Sequence, residues 1–164
     1  FLLWATQGLQ KVLAGGQASL RTVPSAGARH PFETYLIVNR VTGLEPGLCR
    51  YLPLSHQLAF LRGPAGLREG IVEGASGQEF VGEAAAVFVW SCVPYRGEWR
   101  YAERAHRVAL VDIGHVCQNL YLACEALGCG TCAIGAYDQE KCDALLGLDG
   151  KDEFVIYLAP VGRA

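Results

Sequence analysis

Three short segments and one arginine hold most of what this chain could use for chemistry. Pro24-Ser25-Ala26-Gly27 has small side chains throughout, so its backbone can approach a flat ligand closely, and the Ser25 hydroxyl and nearby amides can bond a ring edge. An ordinary turn has the same composition. Ala133-Ile134-Gly135-Ala136 contains a glycine whose amide can be offered without steric hindrance. Arg163, after Pro160-Val161-Gly162, has the forked donor geometry that suits a phosphate, although terminal arginines are often only solvated. Cys129-Gly-Thr-Cys132 is a single Cys-x-x-Cys. A redox pair of this kind usually opens a helix, whose N-terminal dipole lowers the thiol pKa. Here the pair follows a long helical segment, the opposite electrostatic setting, and a turn with two small residues accounts for it better.

Other chemistries lose support. No Gly-x-Gly-x-x-Gly follows a strand, and no Gly-x-x-x-x-Gly-Lys loop is present. The histidines at 30, 56, 106 and 115 are too dispersed for metal-ligand spacing, so no metal site is expected. A net charge of −2 with scattered Lys and Arg argues against a nucleic-acid surface. The longest uncharged apolar run, Ala84 to Val93, is about half of a bilayer span. Seven cysteines, several in apolar contexts, fit a reducing compartment. Together with the absence of a signal-like terminus, this predicts a cytoplasmic protein.

The elements that must position these residues follow from periodicity. Hydrophobic residues make up 51% and charged residues 18% of 164, enough for one packed core spanning 1–164. Apolar spacing over Leu2 to Leu13 predicts a helix stopped by Gly15-Gly16, followed by a loop from Gln17 to Pro31. Strands are expected at Thr34–Val38, 85–93 and 154–159, with a hairpin of 49–52 and 57–61. The Gly-rich stretch 64–82 reads as a broken helix. Tyr101 to Leu127 reads as one helix of roughly 40 Å whose apolar face is too wide for one small core, which predicts a second subunit against it. A further helix starts after Asp138. Helices mixed with hairpin strands give an α+β class.

Taken in order, several segments resemble the nitroreductase family, in particular its SagB-type dehydrogenases. They include Leu2-Leu-Trp-Ala-Thr-Gln-Gly8, Arg21-Thr-Val-Pro-Ser-Ala-Gly-Ala-Arg-His-Pro31 with Glu33-Thr-Tyr35, and Gly77-Gln78. Tyr101-Ala-Glu-Arg104, Gly114-His115, Gln118-Asn119, Gly135-Ala-Tyr-Asp138 and Pro160-Val-Gly162 continue the match. The resemblance implies a homodimer with a mixed, largely antiparallel sheet flanked by helices and with FMN where the subunits meet. It assigns Arg21, Pro24, Ser25, Ala26 and Gly27 to the flavin border from one subunit. Ile134, Gly135 and Ala136 come from the other, with the Gly135 amide toward flavin N5. Gln78 goes to the pyrimidine end and Arg163 to the phosphate. NAD(P)H is a candidate donor, and an azoline-bearing peptide, a nitroaromatic or a quinone the acceptor.

Two departures qualify what the resemblance implies. The family's opening Arg-x-Ser-x-Arg segment does not precede Phe1 in this sequence, and its absence would weaken FMN binding. The branch's Lys-Tyr pair, linked to the substrate proton, is matched by Arg100-Tyr101, and an arginine stays protonated and cannot act as a base. A flavin-free family member serving as a scaffold or partner subunit in peptide modification is therefore the alternative expectation.

Overall fold

A computed structural model of the protein describes residues 1–163. Its centre is a six-stranded, wholly antiparallel sheet of β3 (Phe32–Val38), β4 (Gly47–Leu52), β5 (Gln57–Arg62), β6 (Ala86–Cys92), β7 (Gly130–Thr131) and β8 (Phe154–Gly162), in the order β5-β4-β3-β6-β8-β7. The remaining strands, β1 (Leu9–Leu13) and β2 (Ala18–Arg21), form a separate two-stranded ribbon. Helices α1 (Leu2–Gln7) and α5 (Ala105–Ala126) cover one face of the large sheet. The helices α2 (Leu67–Gly74), α3 (Glu79–Glu83) and α6 (Gln139–Leu146) cover the other. One more, α4 (Tyr95–Tyr101), leads into α5.

Alternation along β3 and β6 explains the two cores. Leu36, Val38, Phe88 and Trp90 point toward α5, packing on Ile113, Val116, Cys117 and Leu120. Their neighbours Tyr35, Ile37, Val87 and Val89 point the other way, onto Leu67, Ile71, Val81 and Leu146. Side chains this deeply buried each contribute about 1.5–3 kcal/mol of hydrophobic stabilisation. A strand buried on both faces reads as a continuous apolar run, which is why 85–93 was so legible.

The expected elements hold in kind, with four corrections. The helix over 2–13 stops at Gln7, because Gly8 turns extended (φ −61, ψ 140) and Leu9–Leu13 pairs with Ala18–Arg21. Gly15 and Gly16, at φ 66 and 99, make the hairpin bend and do not cap a helix. Strand β2 consequently occupies part of the expected loop 17–31. The third correction is that 101–127 is not one helix: α4 ends at Tyr101 and Ala102 breaks the path at φ 47, ψ −129. The fourth is that β8 runs on through Pro160-Val161-Gly162, which pair with β6 and β7. Asn119 ties the assembly together, donating to Ala5 O (2.9 Å) and Thr22 O (3.2 Å).

Candidate functional site

The Pro24–Gly27 loop is braced on several sides. The Ala26 amide donates to Asp112 Oδ2 at 2.9 Å, and Asp112 is a buried carboxylate on α5. Ser25 Oγ accepts the His30 amide at 2.9 Å, and Arg29 Nε donates to Gly27 O at 2.8 Å. Gly27 is required twice over. Its φ of +57 disfavours any side chain, and an added Cβ would lie 2.7 Å from Tyr101 Oη and 3.0 Å from Arg100 Nε. The structure thus brings the Arg100-Tyr101 pair directly against this loop. The next residue, Ala102, has a backbone conformation that L side chains rarely adopt, a kind of strain that concentrates at functional sites.

The second group lies at the sheet edge. Ile134 is buried and its amide donates to Leu158 O at 2.9 Å, which fixes the segment along β8. Gly135 and Ala136 then face solvent. A Cβ on Gly135 would meet nothing within 4 Å. Among the described residues its amide donates to no acceptor. Gln78 lies beside this segment, donating from Nε2 to Ala136 O (3.1 Å) and Ala75 O (2.8 Å), which leaves Oε1 as its available acceptor. Arg163 follows Gly162, which pairs with Gly130 at the far end of the same ladder. Four residue steps along β8 separate the Leu158 and Gly162 pairings, a span of about 13 Å.

A pocket of about 370 Å³ opens beside the first group, and Gln78, Ile134, Gly135 and Ala136 are not among the residues that line it. Its lining includes Ala26, Tyr101, Ala109, Asp112, Tyr137 and Ile156. Arg163 instead borders a separate groove with Cys129 to Cys132. Cys129 and Cys132 flank the short strand β7, and neither opens a helix. Arg21 is directed elsewhere: its Nη1 donates to the buried Gln7 Oε1 at 2.6 Å, and its Nε is buried without a partner. Among the described residues no cluster of His, Cys, Asp or Glu is arranged to hold a metal ion, and no helix is long and apolar enough to cross a membrane.

Two buried groups were missed from sequence. Asp112 is the buried charge of α5, whose other charges Arg107 and Glu125 are exposed, and its place on the apolar face was the only available signal. His30 is buried at φ 44, with Nε2 3.1 Å from Ser19 O. Burial, reinforced by the nearby Arg21 charge, pushes its pKa down to about 4, so it is neutral and serves the loop as a hydrogen-bonding spacer. Glu33, also buried, forms ion pairs with Arg50 (3.0 Å) and Arg96. Desolvation pushes the Cys92 thiol up to about 12, which makes it inert at the pocket wall.

Comparison with known proteins gives consistent results. The nitroreductase family model matches residues 2–163. A nitroreductase-named protein of Methanocaldococcus jannaschii is 33% identical over 147 residues, covering 90% of this chain and 72% of that one. The trifolitoxin-processing protein TfxB of Rhizobium leguminosarum bv. trifolii is 29% identical over 140 residues, 83% of this chain and 38% of TfxB. A nitroreductase-type crystal structure from Anabaena variabilis superposes with a TM-score of 0.90 at 28% identity, over 98% of this chain and 33% of that one. The chain therefore spans about a third of the length of two of these relatives. It has their α+β fold with an antiparallel sheet between helices, and with a family match over nearly every residue the chain belongs to the nitroreductase family.

Proposed function

We propose that the protein is an FMN-dependent oxidoreductase of the SagB-type dehydrogenase branch, acting on a peptide or a small acceptor. The observation that carries this is the Gly135 amide, exposed and without an acceptor among the described residues, beside the available Oε1 of Gln78. Those two groups suit an isoalloxazine edge, which needs a donor near N5 and an acceptor for the ring N–H. A positive group for the phosphate is available in Arg163 at the end of the same edge ladder. The residues present therefore fit FMN. When bound, FMN supplies hydride acceptance and donation at N5.

The protein's own residues would orient and shield. The Pro24–Gly27 loop, held by Asp112, offers a small-residue wall that a flat ring can approach. Tyr101 Oη, packed beside Gly27, would donate or accept one hydrogen bond at the substrate. Arg100 beside it is a fixed positive charge and cannot take a proton. The similarity to TfxB favours a peptide as the substrate.

A homodimer is part of this reading. Leu110, Val111 and Leu122 stand 61%, 55% and 62% exposed along the outer side of α5, an apolar face that a second copy would cover. Sedimentation at micromolar concentration should give two chains per particle. The function itself is tested by anaerobic turnover of NADPH or NADH with menadione as acceptor. Turnover should require added or retained FMN and fall on its removal. Absence of turnover with FMN fully bound would contradict the oxidoreductase reading, and a protein that never takes up FMN would favour the scaffold alternative.

A further inference from the structure

Outside the pocket, a second groove of about 360 Å³ runs between the β1–β2 ribbon, the β4–β5 turn and α4. Its apolar surface is unusual for a small domain: Val12, Leu54, Tyr95 and Trp99 are 51%, 80%, 74% and 58% exposed. Scattered exposed apolar residues are normal, but a contiguous patch marks an interaction surface. Among the described residues, the charged side chains that line it are Arg29 and Arg96, with no carboxylate. The Arg29 guanidinium lies 4.9 Å from the Trp99 ring centroid. Arg96 is already paired with Glu33, whereas Arg29 has no ion-pair partner among the described residues.

Two features identify the occupant. First, β1 and β2 pair only with each other, so the ribbon leaves backbone edges without a strand neighbour, the Ser19 carbonyl excepted, which is bonded to His30 Nε2, and Ala18 and Ser19 of β2 line the groove. Such an edge accepts an extended chain. Second, Arg29 also lines the inner pocket beside Ala26 and Tyr101, so the groove and the pocket share a wall.

We propose that this groove seats an extended segment of the peptide substrate bearing apolar side chains and at least one carboxylate, and delivers the chain past Arg29 to the inner pocket. The proposal rests on the peptide-modifying reading above. The carboxylate would pair with Arg29, the apolar side chains would cover Leu54 and Trp99, and the segment's backbone would run along β2.

The test uses the full-length protein and three fluorescein-labelled dodecapeptides in anisotropy titrations. One contains Leu, Ser and Asp, the second replaces Asp with Lys, and the third replaces Leu with Ser. The Leu/Asp peptide should bind saturably, and each of the other two at least about tenfold more weakly. Leu54→Ser and Trp99→Ala should each weaken its binding by about fivefold or more while menadione turnover stays within about twofold. Leu54 is so exposed that its replacement should not disturb folding. Equal affinity for the Lys peptide, no saturable binding, or variants that bind as the wild type would overturn the proposal. So would a change in sedimentation on replacing Leu54 or Trp99, which would give the groove to a second copy. Peptide binding by a protein that never takes up FMN would support the groove and contradict the oxidoreductase reading. Menadione turnover without peptide binding would do the reverse.

Discussion

The Pro24–Gly27 loop and the Ala133–Ala136 segment are both small-residue stretches around a glycine, yet the structure treats them oppositely. The first is fastened by Asp112, His30 and Arg29, and its glycine is pressed against Tyr101. The second is pinned at Ile134 by β8, and its glycine then stands clear of every neighbour. One behaves as a wall, whose shape depends on buried partners. The other behaves as a presenting edge, whose value lies in what it leaves unbonded. Similar composition therefore carries different sensitivities, and substitutions should separate them.

The largest effect should come from acid. His30 is neutral in the fold, with its pKa lowered to about 4 from 6.5. The unfolded chain then binds a proton at a higher pH than the folded one does. Its contribution is present above about pH 6.5 and is lost as pH falls toward about 4, amounting to up to roughly 3 kcal/mol. Denaturant unfolding across that window should show the loss, and His30→Gln should flatten it. An unchanged pH profile in the variant would place the acid sensitivity elsewhere.

Next in size is Asp112→Ala, which removes the buried acceptor of the Ala26 amide. Hydrogen bonds to charged groups are worth about 1.5–3 kcal/mol, so stability should fall by about that amount and FMN affinity with it. Asp112→Asn, which keeps an acceptor, should recover much of both. If Ala and Asn behave alike, the carboxylate is not bracing the loop.

The two glycines give the sharpest contrast. Gly27→Ala forces a positive-φ side chain into Tyr101 and should cost about 1–3 kcal/mol in chemical denaturation. Gly135→Ala meets open space and should stay within about 0.5 kcal/mol. Equal costs would remove the distinction between wall and edge.

Arg163→Ala should leave folding almost untouched and weaken FMN by about tenfold, roughly 1.4 kcal/mol. Riboflavin, without a phosphate, should be nearly indifferent. Equal losses for both ligands would mean that Arg163 acts through the fold.

How much of this could be read from sequence varied with the kind of interaction. Strands buried on both faces, such as Ala86–Cys92, announce themselves as unbroken apolar runs. The helix expected over 2–13 failed because 3.6-residue spacing at positions 9, 12 and 13 was overridden by pairing with Ala18–Arg21, a contact that no local pattern reveals. Tyr101 was placed at the start of the long helix, and the structure puts it at the end of α4, one residue before a strained Ala102. The two loops were both singled out, but nothing in their composition said which would be braced. That depended on Asp112, some 86 residues away along the chain.

The proposed dimer would hold FMN between the wall of one subunit and the edge of the other. This is tested most directly by purifying the full-length protein, denaturing it and identifying the released chromophore by chromatography and absorbance. The account predicts a yellow protein releasing FMN at about one per chain, or a colourless one that takes up FMN to that ratio when mixed with it. A folded protein that neither carries FMN nor takes it up at saturating concentration would contradict it.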